Sequence, residues 1–485
     1  MLFLKDDLNL ETTLTQKILG YLPGTIIPSL LTLLSLKMFS VYLSIEEFGL
    51  YNYWLTLSLL ISSIFSQWIS QPTLRYATDK KIVYQEEVIS WFIFIIGIVL
   101  SLILVLENFI LENEYKLLYS LVIILVFLFT CIQIIYTKLQ VSFQIKKYSL
   151  IRLIESGAKV LLPVLCVFIF SPNINTIFLS MISGMFLILI MNSKILFPKK
   201  IFNKNLMKDK KFINTRKSYF SFGIPMVIWF SINGIMSFTD RFLLKIFNGY
   251  DSVAIYSANY SLITGSVVLI TAPLLLISHP MLMNKWNNAD KDETGKLLSY
   301  FIEIFMTVSF LLVALTFMNK DLITVVFLDE KFKEGNVVMP LILVGFIIWQ
   351  LGMFFHKPIE FKENTKKMVI AMLIACGINI MLNLIFIPKL SYIGAAISSI
   401  IGYSTYSFIV FKWGNKIVSY QFMNKQSMLK NIILFIATFI IIIIVDNLNL
   451  KVDMIILNIF TSLFYLLLYV KINLKRLIRL LEVIK

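Results

Sequence analysis

The chain predicts an all-α polytopic membrane protein with about fourteen transmembrane helices, each near the roughly 20 residues that a ~30 Å hydrocarbon core demands. Three observations predict it. Apolar residues make up 58% of the 485 positions and charged residues only 15%, against about 25% charged in a soluble domain. Apolar segments of spanning length follow one another almost from end to end. Lys and Arg collect in alternate connecting loops, as the positive-inside rule requires of a chain that weaves through a bilayer. No water is available in the hydrocarbon, so each crossing must satisfy its own backbone as a helix.

In order, the predicted spans are 15–42, 48–70, 88–106, 115–136, 150–170, 174–197 and 218–239 (which can continue to 247). They go on with 252–279, 297–318, 335–356, 367–387, 392–413, 428–445 and 454–470. Charge tests this order independently. Arg75, Lys80 and Lys81 fill the second loop, and Lys138, Lys146, Lys147 and Arg152 the fourth. The central loop, 198–217, holds Lys199, Lys200, Lys204, Lys208, Lys210, Lys211, Arg216 and Lys217. Loops 44–47 and 171–173 carry no cation. The alternation predicts both termini in the cytoplasm and an even number of spans, and favours fourteen over thirteen. The net charge of +16 is therefore a topology signal and not a nucleic-acid surface. Residues 1–16 lack the basic region and small-residue cleavage site of a signal peptide, so this end is expected to stay attached.

Four regions follow: helices one to six in 1–197, a basic cytoplasmic linker in 198–217, helices seven to twelve in 218–413, and a terminal helix pair with a basic tail in 414–485. The two six-helix halves resemble each other. Gln16-Lys17-Ile18-Leu19-Gly20-Tyr21-Leu22-Pro23 lies against Ser218-Tyr219-Phe220-Ser221-Phe222-Gly223-Ile224-Pro225, and Phe48-Gly49-Leu50-Tyr51 against Val253-Ala254-Ile255-Tyr256. Six is even, so both halves insert with one orientation, as in parallel-repeat transporters.

Proline removes a helix hydrogen bond and clashes with the preceding turn. Pro23 and Pro225 occupy equivalent places in the repeat and are candidate hinges; an ordinary static kink is the other reading. Charge inside a span costs about 2.5 kcal/mol or more unless solvated or paired, so it is more informative. Lys37 lies in the outer half of the first span. Asp240, Arg241 and Lys245 lie where the seventh span nears the outer side. Arg241 and Lys245 share a helix face and repel; an anion would relieve that repulsion. These four are candidate substrate-binding residues, and snorkelling to the outer interface is the alternative.

Glu155 and Lys159 form an i, i+4 pair with the acid N-terminal. They are either an intrahelical ion pair that eases insertion or an ion-coupling carboxylate and its partner. Arg152 reads as interfacial. His279 and His356 each close a span without a metal partner at helical spacing. Cys131, Cys166 and Cys376 fall inside apolar segments with no ligand spacing and read as small core residues. No catalytic constellation, metal site or cofactor motif is present, and the outer loops are short, so an enzyme such as a polysaccharide polymerase or glycosyltransferase is the less favoured class. In segment 137–148, Leu139, Val141, Phe143 and Ile145 alternate with polar residues; a strip on the anionic cytoplasmic surface and a solvated loop both fit.

Several stretches carry a family resemblance. They are Tyr42-Leu43-Ser44-Ile45-Glu46-Glu47-Phe48-Gly49-Leu50-Tyr51, Thr239-Asp240-Arg241-Phe242-Leu243-Leu244 and Val253-Ala254-Ile255-Tyr256-Ser257-Ala258-Asn259-Tyr260. With them goes Ile387-Pro388-Lys389 followed by Ile393-Gly394-Ala395-Ala396. In this order they resemble the polysaccharide (O-antigen, or Wzx-type) flippases, within the superfamily that also holds the MATE exporters and the lipid II flippase. The resemblance covers at least 15–413. It implies two six-helix MATE-like lobes around a cavity that opens alternately to each side. It also implies transport of an undecaprenyl-pyrophosphate-linked glycan, as in lipopolysaccharide O-antigen or capsule assembly, across a bacterial inner membrane. Cavity cations would take the anionic head group. Asp240 and Arg241 carry over by motif, Lys37 only by the internal repeat. Membrane lipids and other polysaccharide-assembly membrane proteins are the implied partners. A MATE-like exporter of cationic drugs remains the alternative within the fold and would need acids, not cations, facing the cavity.

Overall fold

A computed structural model describes residues 23–76, 84–110, 116–142, 144–170, 173–197, 208–287, 291–362, 364–420, and parts of 429–440 and 458–473. Every regular element among them is helical: α1 (Pro23–Tyr42), α2 (Ile45–Tyr76), α3 (Gln85–Ile110), α4 (Lys116–Val141), α5 (Ile145–Ile169) and α6 (Ile174–Met191). Then come α7 (Lys210–Asn287), α8 (Lys291–Phe327), a 3-10 stretch at Glu330–Val337, α9 (Val338–Phe355) and α10 (Thr365–Asn415). The short apolar helix Phe460–Asn473 is α11.

Three of these helices contain one non-helical residue each. In α7 it is Gly249 (φ 82, ψ 179), in α8 Asn319 (φ −113, ψ 18), and in α10 Ser391 (φ 49, ψ −131). The break at Gly249 falls between predicted spans seven and eight, and that at Ser391 between eleven and twelve. Among the described residues, eight helical stretches are long and apolar enough to cross a bilayer, and these two breaks make α7 and α10 double crossings. Gly249 occupies a backbone region that is open essentially to glycine alone.

Local chemistry sets the starts of the helices. Ser44 Oγ accepts from the Glu47 backbone N–H at 3.1 Å while a Glu47 carboxylate oxygen accepts from the Ser44 N–H at 3.1 Å. This reciprocal capping box satisfies two of the amides that a helix start leaves without partners, and it opens α2. Asn173 caps α6 by accepting from the Asn175 N–H at 3.0 Å.

Two expectations change. Segment 137–148 is not a surface strip. Its first residues close α4, with Lys138 and Leu139 buried, and α5 begins at Ile145. The alternation was a helix end read across a turn. The basic linker is partly helical, because 210–217 form the first two turns of α7; 198–207 lie outside the described residues, as do 15–22.

The chain divides into two compact units, Met1–Ser257 and Ala258–Lys485. In the first, α1 packs on α5, α2 on α4, and both α4 and α5 on α6. Ser58, Ser62, Ser66 and Ser70 recur at every fourth residue of α2 and are all buried. Small side chains let membrane helices approach closely, and the Thr137 hydroxyl of α4 donates to Ser70 Oγ at 2.8 Å. The first half of α7 belongs to this unit through α2: Trp68 meets Phe220 at 4.7 Å and Tyr53 meets Phe238 at 5.4 Å between ring centroids.

In the second unit α9 packs on α10 and α8 on α9. Helix α11 docks on α8, where Ala314, Met318, Tyr465 and Tyr469 form a buried cluster. Asn319 Nδ2 donates to Ser462 Oγ at 2.7 Å, and the Tyr469 hydroxyl donates to the Thr307 carbonyl.

Candidate functional site

Asp240 and Arg241 are adjacent on a helix, so they cannot face each other. The corner at Gly249 solves this by bringing the next pair, Tyr256 and Ser257, back opposite them. The Tyr256 hydroxyl donates to Asp240 Oδ2 at 2.8 Å, and Arg241 Nε donates to Ser257 Oγ at 3.0 Å. Arg241 Nη1 donates to the Ser237 carbonyl at 2.8 Å and to Ser237 Oγ at 3.3 Å. The Tyr256 ring lies 5.8 Å from the guanidinium carbon. Both charges are buried, Asp240 at 2% and Arg241 at 4% exposure. A charge taken out of water must be bonded to persist, and here each is. In this conformation Arg241 serves as a clasp across the corner and does not stand open in a cavity.

Lys245, one turn further along α7, is half-buried. Its ammonium sits 4.8 Å from the Tyr53 ring centroid and 5.3 Å from that of Tyr250. Ring faces are electron-rich and attract cations, so Arg241 and Lys245 are each compensated separately by their surroundings. The Tyr53 and Tyr250 rings meet at 5.9 Å. Gly49 permits this corner, since a Cβ there would lie 2.0 Å from the Tyr250 carbonyl oxygen. Lys37 is half-buried on α1, and its carbonyl accepts from Ser40 Oγ at 2.8 Å.

A second charged cluster lies between α4 and α5. Glu155 is buried, and the expected pair with Lys159 is present, with the lysine ammonium on one carboxylate oxygen. The Tyr136 hydroxyl donates to the other oxygen, and Arg152 Nη1 stands 4.0 Å from it. The Arg152 guanidinium lies 4.9 Å from the Tyr136 ring centroid, and the Lys159 ammonium 4.6 Å from that of Phe129. The spacing of Glu155 and Lys159 revealed two members; Tyr136 comes from another helix, and no local pattern announces it. Arg152, expected at the interface, is part of this network.

The hinge candidates fare differently. Pro23 is the first described residue, so the turn on which it would act lies outside the described residues. Helix α7 runs through Pro225 and breaks at Gly249. The His279 side chain also lies outside what is described. His356 is buried, with Nδ1 2.9 Å from the Tyr406 hydroxyl and Nε2 3.5 Å from a Glu360 oxygen that also accepts from Lys357 at 2.7 Å.

Many apolar crossings, glycine and serine corners between them, and buried bonded charge define a multi-pass membrane protein. Its fold is shared with a lipid II flippase, MurJ in an inward closed conformation, at 15% identity and a TM-score of 0.71 over 94% of this chain and 98% of that one. Multidrug MATE transporters of the MOP superfamily share it too. An inward-facing one aligns at 14% identity and TM-score 0.60 over 83% of this chain and 94% of that one. An outward-facing one aligns at 13% and 0.60 over 83% and 95%. The polysaccharide biosynthesis protein family matches residues 14–285, more than half of the 485 residues, and the chain belongs to that family. An uncharacterized membrane protein, MJ1068, of Methanocaldococcus jannaschii is 22% identical over 271 residues, 54% of this chain and 52% of that protein. The chain thus spans about half the length of the curated relative it matches.

Proposed function

We propose that this protein is a flippase for an undecaprenyl-pyrophosphate-linked oligosaccharide, an O-antigen or capsule repeat unit, and carries it from the inner to the outer leaflet of a bacterial inner membrane by alternating access. Family membership carries this reading, because it ties the fold to polysaccharide biosynthesis and not to drug export. The physics agrees. A diphosphate bears about two negative charges, and its bare transfer through hydrocarbon is prohibitive. A hydrated path lined by cations lets the head group cross while the polyprenyl tail stays in lipid.

The sequence repeats that make the lobes are 1–197 and 218–413, joined by the basic linker 198–217, with the start of the second repeat packed on α2 of the first and both termini cytoplasmic. Lys245, half-buried above two tyrosine rings, makes first contact with the pyrophosphate. Lys37 supports it, and Arg241 joins when the clasp to Ser257 opens; Asp240 keeps Tyr256 in place. Glu155 and Lys159 couple transport to an ion, and Pro23 and Pro225 act as pivots. Outward movement of negative charge gains about 2.3 kcal/mol per charge per 100 mV from an inside-negative potential.

The test is the sidedness of lipid-linked glycan in depleted cells, read with a non-permeant label. Accumulation inaccessible from outside supports the reading, and Lys245→Ala should then reproduce it in part. Normal arrival at the outer face without polymerisation points to a downstream enzyme. No response of any lipid-linked glycan moves drug export to the front.

A further inference from the structure

Where α5 begins and α6 ends, a cavity of about 150 Å³ is lined by Lys147, Leu150, Ile151, Ile154, Ile188, Met191 and Asn192. Its floor is buried and mostly apolar, with Ile151 at 3% and Ile188 at 2% exposure beside Asn192 at 6%, whose side-chain amide donates to the Ile188 carbonyl at 2.9 Å. Its rim is apolar and open, with Leu150 at 56%, Ile154 at 39% and Met191 at 71%. In a spanning protein such a rim meets acyl chains. Lys147, exposed, is the one charged residue of the lining. Lys146 precedes it and Lys194 follows Asn192 by two residues, and all three are exposed. None of the three makes an ion pair among the described residues, whereas the less exposed Lys138, Lys159 and Lys357 all do.

The local field sharpens the contrast. Lys146 and Lys147 occupy the first turn of α5, which has no acidic residue and no side-chain cap. Cations there oppose the helix dipole. Yet the apolar rim and the unpaired ammonium are arranged as one surface, charged at the interface level and oily below. The lysines belong to the side that the charge pattern makes cytoplasmic, where anionic lipid attracts them.

We propose that this cavity is a binding site for one anionic phospholipid of the inner leaflet. Its phosphate sits against Lys147, with Lys146 and Lys194 adding to the attraction, and an acyl chain runs over Leu150, Ile154 and Met191. The cavity holds a phosphate and the start of a chain, and it is too small for an oligosaccharide. The bound lipid braces the cytoplasmic ends of α5 and α6 and is distinct from the transported molecule.

The full-length protein in phosphatidylcholine nanodiscs containing a minor fraction of phosphatidylglycerol tests this, with retained lipid counted by native mass spectrometry. Lys147→Ala should retain about fivefold less phosphatidylglycerol, the loss expected from removing one cation near an anionic surface. Lys296→Ala, which removes a charge paired with Glu293 at 3.1 Å, should retain as much as wild type. Equal retention by wild type and Lys147→Ala overturns the proposal. So does displacement of phosphatidylglycerol by undecaprenyl phosphate from wild type but not from Lys147→Ala, which would make the cavity a substrate entrance.

Discussion

Tyr256 donates its hydroxyl to Asp240 at 2.8 Å, across a helical corner made by Gly249. The bond joins two halves of a double crossing and leaves a buried carboxylate satisfied. Tyr256→Phe keeps the ring and removes the donor. A hydrogen bond to a charged group is worth about 1.5–3 kcal/mol, so the thermal midpoint in detergent should fall. An unchanged midpoint would show that Asp240 gains nothing from this tyrosine.

Gly249→Ala isolates backbone strain. No atom lies within 4 Å of an added Cβ, and φ is +82°. The whole penalty is conformational, about 1–3 kcal/mol for a non-glycine residue in this region. Equilibrium unfolding should show that loss while Gly377→Ala, also free of contacts but inside the helical run of α10, shows a small gain from helix propensity.

Gly49→Ala fails for a different reason. Its Cβ would meet the Tyr250 carbonyl oxygen at 2.0 Å, and both partners are backbone-anchored. Overpacking of this kind costs about 1–3 kcal/mol, occasionally more. It should also separate Tyr53 from Tyr250 and so weaken the ring pair beneath Lys245. Quenching of a fluorophore near Lys245, compared between Gly49→Ala and wild type, reads that separation; identical signals would contradict it.

The Glu155 cluster separates transport from stability. Glu155→Gln leaves Lys159 and Arg152 without their acid; both are partly exposed to their surroundings, so the loss should fall below the roughly 3–5 kcal/mol of a fully buried broken pair. The pair Glu155→Gln with Lys159→Met should recover much of it. Recovery of stability without recovery of translocation supports ion coupling. Recovery of both would leave the pair with a purely structural role.

Tyr469→Phe tests the docking of α11 on α8. It removes one hydrogen bond to the Thr307 carbonyl, worth about 0.5–1.5 kcal/mol net. Tyr465→Ala, which empties part of the cluster with Ala314 and Met318, should cost more. Protease protection of α11 should fall in the same order.

The crossings were legible because hydrophobic length and loop charge are local signals. The corner at Gly249 falls in the gap between the predicted spans that end at 247 and begin at 252. Ser391, the non-helical residue of α10, follows the Pro388-Lys389 pair that the family resemblance singled out. Partners across helices were not legible. Nothing near Asp240 names Tyr256, nothing near His356 names Tyr406 some 50 residues on, and Glu155 gives no hint of Tyr136. These contacts depend on how helices pack, and a hydroxyl 16 residues away leaves no periodic trace. The alternation in 137–148 misled for the opposite reason: a short window at a helix end mimics a different period.

The docking of α11 also sets a timetable for biogenesis. Thr307 and Tyr469 are 162 residues apart, and chains lengthen at roughly 5–20 residues per second. The α8 surface that buries Tyr465 and Tyr469 must therefore wait about 8–30 s in the bilayer for its cover. During that interval Ala314 and Met318 lack the two tyrosine rings, and Phe310, Leu311 and then Leu434 are their earlier neighbours in the cluster. A chain cut short before Tyr465 would thus keep the face of α8 around Ala314 and Met318 without these two rings.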